Sequence, residues 1–252
     1  MARIMSITAH PADLVERTGG TVANHIARGD EVMFVSLTTG VVTHAFNVFP
    51  VTGEDKLKDV DKVKEMKRQE LSRACDVLGV KKWEFLDFPE NPMIFDYEQY
   101  AKVIGLIREF KPDVVLCPHP TEYGRFDHMD AGRFVVACVD YARADGFDSP
   151  LAPHMVKDVF MFYYLDFRTD QLMGNPRHSP GVIVDITDVI KTKSDALMEF
   201  NATQVREGVD GLKLRKLFAD SVDGNAGYTH GFGYAEQFVR LNVEKGPYLP
   251  LS

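Results

Sequence analysis

Short apolar runs alternate along this chain with longer stretches in which apolar residues recur at helical spacing. The runs predict strands near residues 3–8, 31–37, 83–87, 113–117, 156–164 and 181–185. The periodic stretches predict helices over 14–29, 55–78, 97–110, 128–144, 187–206 and 233–240. Gly29 and Gly79 follow two of these helices, where a residue without a side chain ends a helix at least cost. Strands that alternate with helices point to βαβ units, hence to one α/β domain over residues 1–252 with a mainly parallel, Rossmann-like sheet flanked by helices. Ligands of such sheets sit beyond the carboxyl ends of the strands, and His10 and His119 both fall there. The polar loops 39–54, 145–155 and 166–180 are expected to form a rim. Residues 207–232 are rich in glycine with little apolar periodicity, and are expected to be mobile or shaped by a ligand.

Composition narrows the class of partner. The net charge of −8 comes from acidic and basic residues that are mixed along the chain. No basic patch is visible, which disfavours a nucleic-acid partner. A small anionic substrate stays open, since a few local arginines suffice to hold one. The three cysteines, Cys75, Cys117 and Cys138, lie far apart in apolar or helical contexts and are expected to be reduced and buried. No signal peptide or membrane-length apolar run is evident, so a soluble, cytoplasmic protein with no membrane partner is expected.

Two stretches carry candidate chemistry. In "AHPADL" a strand delivers His10 and Asp13, an imidazole and a carboxylate that both suit Zn²⁺. The same pair also suits a simpler role, with Asp13 as the N-cap of the helix that follows. In "HPTEYGRFDHMDAGR" His119, Glu122, Arg125, Asp127, His128 and Asp130 crowd one strand-to-helix loop. Each such group needs solvation or a partner. His128 suits a third metal ligand and Asp127 a carboxylate that fixes an imidazole's tautomer; alternatively, Asp127 is a helix cap. No G-x-G-x-x-G follows the first strand, and no G-x-S-x-G or Walker-type loop occurs.

Taken together, these stretches resemble the LmbE-like (PIG-L) family of zinc-dependent deacetylases of N-acetylglucosamine derivatives. That family opens "AHPDDE" and continues to a Gly-Gly in its first helix, as does "AHPADLVERTGG" here. "KRQELSRACDVLGV", "KPDVVLCPHPTEYGRFDHMDAGR", "GVIVDITDVIKTKSDAL" and "GYAEQFVR" resemble later family segments, so the likeness runs nearly the full chain. It implies that His10, Asp13 and His128 bind a catalytic zinc or another divalent metal with one position open to water or substrate.

The chain departs from the family where chemistry is done. Ala12 stands in place of the family's general base, Arg125 in place of the first His of "HPDH", and Leu14 in place of a Glu. General acid–base help is typically worth about 10²–10⁴-fold, so amide hydrolysis would be slow. The "ADLVER" pattern, with Ala12, Asp13 and Arg17, resembles a subgroup of 4-oxalomesaconate hydratases of aromatic-acid catabolism. This implies a hydratase (lyase) for a small unsaturated keto di- or tricarboxylate. Guanidinium groups pair with carboxylates in bidentate fashion; Arg125, Arg17 and Arg68 are the candidates, with Arg168 and Arg177 further ones. With Ala12 unable to take a proton, Asp127, Glu122, His154 and His178 are candidate proton carriers. Glu90 lies near a family position that contacts substrate. The alternatives are a PIG-L-type deacetylase using Glu122 or Asp127 as base, and a metal-binding protein without turnover. A homo-oligomer is expected, as in relatives of this kind.

Overall fold

The computed structural model describes residues 1–44, 60–90, 92–122, 125–163, 181–200, 205–206 and 209–241. In chain order the elements are β1 (Arg3–Thr8), α1 (Pro11–Ala27), β2 (Glu31–Ser36), the single turn α2 (Val41–His44), α3 (Val60–Leu78), β3 (Lys82–Phe85), α4 (Tyr97–Phe110), β4 (Val114–Pro118) and α5 (Phe126–Ala142). There follow β5 (Asp158–Phe162), β6 (Val182–Asp185), a 3-10 turn at Thr187–Val189, α6 (Ile190–Leu197), β7 (Val205–Arg206), β8 (Val209–Asp210), α7 (Gly211–His230) and β9 (Ala235–Arg240).

Seven strands form one sheet in the order β3-β2-β1-β4-β5-β9-β6, while β7 and β8 make a separate hairpin. The strands from β3 to β5 are all parallel, and β9 runs antiparallel between β5 and β6. β1 is buried along nearly its whole length, with neither face open to solvent, as a central parallel strand requires. Its odd and even side chains face two separate cores. Met5 and Ile7 pack with α4 and α5, whereas Ile4 packs with α1, α3 and α6. The strand order reverses between β1 and β4, which opens a crevice at their carboxyl ends.

Two segments depart from the sequence pattern. Residues 233–240, expected to be helical, form strand β9 from Ala235 to Arg240. "AEQFVR" has no strong local bias; it is held by pairing with two strands at once, with Glu236 and Phe238 turned inward. Conversely, residues 207–232 contain helix α7. Its Gly227 sits where a Cβ would lie 2.7 Å from the backbone of Gly233, so this glycine reports close packing against the chain that follows. The helix expected over 187–206 is shorter, with α6 ending at Leu197.

Candidate metal centre at the β1–β4 crevice

β1 leads directly to the first site residue. Backbone pairing continues past the strand, with Leu37 N donating to Thr8 O at 2.9 Å and Thr38 N to Ala9 O at 3.0 Å. This fixes the chain up to His10, which is the N-cap of α1, with Pro11 in the first turn. Asp13 is therefore not the cap itself. It lies one turn in, and its carboxylate reaches back to accept from His10 N at 3.0 Å.

The second half arrives from β4. Gly132 lets α5 approach the β4 exit closely; a Cβ there would lie 2.5 Å from Pro118 O. That contact seats the first turn of α5, with Arg125 as N-cap and His128 buried against α1. Asp127, not at the cap, accepts from His128 N through Oδ1 at 2.9 Å.

The two histidines meet with ring centres 5.4 Å apart. Asp13 Oδ2 lies 3.3 Å from His10 Nδ1 and 3.5 Å from His128 Nε2. Asp127 Oδ2 is 3.5 Å from His10 Nε2, Glu90 Oε2 is 3.9 Å from the same nitrogen, and Glu122 Oε2 is 3.7 Å from His128 Nδ1. Donor atoms of His10, Asp127 and His128 all lie within 4.8 Å of one another. Ligands held tetrahedrally at about 2.0–2.1 Å from zinc are roughly 3.3 Å apart; the two spacings from Asp13 Oδ2 have that length, while the set in which every donor is close to every other is His10, Asp127 and His128. Two imidazoles with several carboxylates are also a donor chemistry that zinc accepts. Burial alone would push Asp13 up, but the His128 and His10 side chains beside it hold its carboxyl well below the usual range. Burial likewise opposes charge on His128, yet Asp13, Glu122 and Asp127 raise it to about 9.

Other candidate residues fall at different distances from this centre. Glu90 joins it, steadied by Thr39 Oγ1 and Val42 N, which both donate to its Oε1 at 3.2 Å. Arg17 is buried on α1 one turn beyond Asp13, and its charge acts on Asp223 of α7. Arg68 lies over the ring of Phe85 at 4.8 Å and near Glu65, half exposed on α3. His119 stacks on Tyr163 with ring centres 4.4 Å apart, and its Nδ1 accepts from Thr121 N at 3.2 Å. His154 belongs elsewhere. Its Nε2 donates to Pro112 O at 2.8 Å, before β4 begins, at the end of the sheet opposite the crevice. Its sequence position just ahead of β5 already implies this, because a parallel strand enters from the end remote from the site. Arg168, Arg177 and His178 lie outside the described residues.

A buried charge network beneath α1 had no signal in the sequence. Lys193 of α6 bonds Asp223 Oδ2 at 2.6 Å and Glu236 Oε1 at 2.8 Å, and the two Glu236 oxygens accept from Gly20 N and Thr21 N at 2.9 Å. Gly20 carries no side chain because Ile186 would lie 2.6 Å from its Cβ. The Gly-Gly pair thus serves helix packing.

Residues 5–139, more than half of the chain, match the family model described as GlcNAc-PI de-N-acetylase, PIG-L. This chain belongs to the PIG-L family. Among curated PIG-L relatives, a diacetylchitobiose deacetylase from Thermococcus kodakarensis is 27% identical over 202 residues, covering 77% of this chain and 67% of the relative. A 4-oxalmesaconate hydratase from Pseudomonas putida is 27% identical over 141 residues, covering 56% of this chain and 53% of the relative. The PIG-L fold is shared with solved structures. The 4-carboxy-2-hydroxymuconate hydratase GalB of Pseudomonas putida superposes with a TM-score of 0.79 at 22% identity, covering 99% of this chain and 100% of that one. An N,N'-diacetylchitobiose deacetylase of Pyrococcus horikoshii gives 0.76 at 23% identity, covering 95% and 84%. Named relatives thus span both deacetylases and a hydratase. Among the described residues, no helix is long and apolar enough to cross a membrane.

Proposed function

We propose that this PIG-L protein is a zinc-dependent hydratase acting on a small unsaturated keto di- or tricarboxylate, 4-oxalomesaconate being the type of molecule meant. The observation that carries this is Ala12. The first turn of α1 retains His10 and Asp13, both buried at the centre, while the residue between Pro11 and Asp13 has no group able to take a proton. Amide hydrolysis needs a base at the attacking water and then an acid at the leaving amine. Addition of water across a carbon–carbon double bond activated by a carbonyl also takes a proton from water, but returns it to the neighbouring carbon, so one carboxylate, an electrophile and anion-binding groups suffice.

His10, Asp13 and His128 would hold the metal. When bound, it supplies Lewis-acid polarisation of a substrate oxygen. The remaining work falls to the chain. Arg125, at the N-cap of α5 beside Asp127 and His128, is placed to pair with a substrate carboxylate, helped by the positive end of the helix dipole. Asp127, whose side chain is 13% exposed, is the carboxylate suited to passing a proton between water and the substrate carbon. The hydratase relative and the hydratase of the same fold support this reading. The deacetylase relative, which covers more of the chain, supports a second one, with Asp127 as base.

Metal analysis of the purified protein, with assays for acetate release from N-acetylglucosamine derivatives and for loss of ultraviolet absorbance by unsaturated keto acids, separates the two. The expected result is about one zinc per chain, absorbance loss and no acetate. Acetate release in its place would establish the second reading. Arg125→Ala should then raise KM for the polycarboxylate by about 10²-fold, the worth of a charge-assisted pair. An unchanged KM would remove Arg125 from carboxylate binding.

A further inference from the structure

We infer that Glu122 is a positioning residue that sets the tautomer and orientation of His128, and not a proton carrier. This rests on the metal reading above. The loop from β4 to α5 fixes Glu122 from both sides: its N donates to His119 O at 3.3 Å and its O accepts from Arg125 N at 3.4 Å. From there its carboxylate Oε2 faces His128 Nδ1 at 3.7 Å, an ion-pair spacing. The other nitrogen of the ring, Nε2, faces Asp13 Oδ2 at 3.5 Å.

The two nitrogens of an imidazole point away from each other, so the His128 ring lies between Glu122 and Asp13. A proton on Nδ1 directed at Glu122 leaves the Nε2 lone pair aimed at the centre, the arrangement in which a carboxylate behind a histidine strengthens it as a ligand. The same geometry argues against a base. A base must come within hydrogen-bond reach of the water or substrate it deprotonates, and Glu122 is screened from the centre by the ring. Its side chain is only 2% exposed. Asp127 also contacts a ring, His10 Nε2 at 3.5 Å, but unlike Glu122 it is not shut behind one: its carboxylate lies within 4.8 Å of ligand atoms of both histidines, and its side chain is more open, at 13%. The two carboxylates that are equivalent candidates in the sequence therefore take different roles, one behind a ligand and one at the mouth.

The test uses the full chain, stripped of metal with a chelator and titrated with zinc alone by calorimetry. Glu122→Ala should weaken zinc binding about 10–100-fold. Glu122→Gln, which keeps an acceptor oxygen, should recover most of that loss. At saturating zinc, kcat of both variants should stay within a few-fold of the parent. If Glu122→Ala fails to fold, Glu122→Asp, one methylene shorter, takes its place with the same expectation. Unchanged zinc affinity in the variant overturns the inference while leaving the metal reading intact. So does a large fall in kcat for Glu122→Gln at full zinc occupancy, which would mark Glu122 as the base. A parent protein that binds no zinc overturns the metal reading itself, and the inference with it.

Discussion

At the scale of single residues, burial and partner decide what each charged group does. Arg108 shows the structural extreme. It is almost fully buried in α4, and its guanidinium donates to the carbonyls of Ala142, Ala144 and Leu151 at 3.0, 2.7 and 3.0 Å. It thus satisfies the end of α5 and the loop after it. Arg108→Met would leave those carbonyls without a donor, and should lower unfolding free energy by about 3 kcal/mol in urea titrations. Arg125 stands at the other end of the same helix, where a guanidinium gains nothing from the dipole.

At the scale of elements, the site depends on how closely two helices approach the strands that precede them. α5 meets the β4 exit at Gly132, where a methyl group has no room beside Pro118 O. Gly132→Ala should shift α5, cost about 1–3 kcal/mol of stability, and weaken zinc binding, because His128 lies one turn earlier on the same helix. Normal zinc affinity in a destabilised Gly132→Ala protein would show that the first turn of α5 keeps its place independently. On the other face, α1 is fastened through its middle by Glu236, Lys193 and Asp223, from three elements distant in sequence. The glycine pair that permits this was visible in the sequence. Its partners were not, because β9 sits in the sheet only through pairing with β5 and β6.

At the scale of the whole molecule, this network couples stability to pH. Burial pushes Asp223 up to about 6, against the pull of Lys193 and Arg17 and with the help of Glu236. A carboxyl raised in the folded state contributes stability that is fully present below its unfolded value of 3.8 and is lost as pH rises through about 6. Asp30 works in the opposite sense: despite some burial, Ala2 N, His25 and Arg28 hold it below 3.8, so its contribution is present at neutral pH and lost in acid. Urea unfolding from pH 4 to 7 should therefore show an Asp223-linked decline that Asp223→Asn removes. An identical pH profile in the variant would show that Asp223 ionises in the folded protein as readily as in the unfolded chain.

Local pattern alone determined the strand and helix alternation, the parallel half of the sheet, and the arrival of His10 and of the His128 loop at strand ends. Period and helix-stop residues act over a few neighbours, so they are legible without the fold. The Ala12 substitution is likewise a local fact. Only the tertiary structure decided that Glu90 joins the centre and that Glu122 and Asp127 differ in exposure. It also decided that residues 235–240 are a strand and that a buried charge network lies beneath α1. These depend on which elements become neighbours once the sheet is ordered, and on which side of a ring or strand a group then faces. No window of sequence contains that information, because the partners are brought together by the burial of two cores, and not by their spacing along the chain.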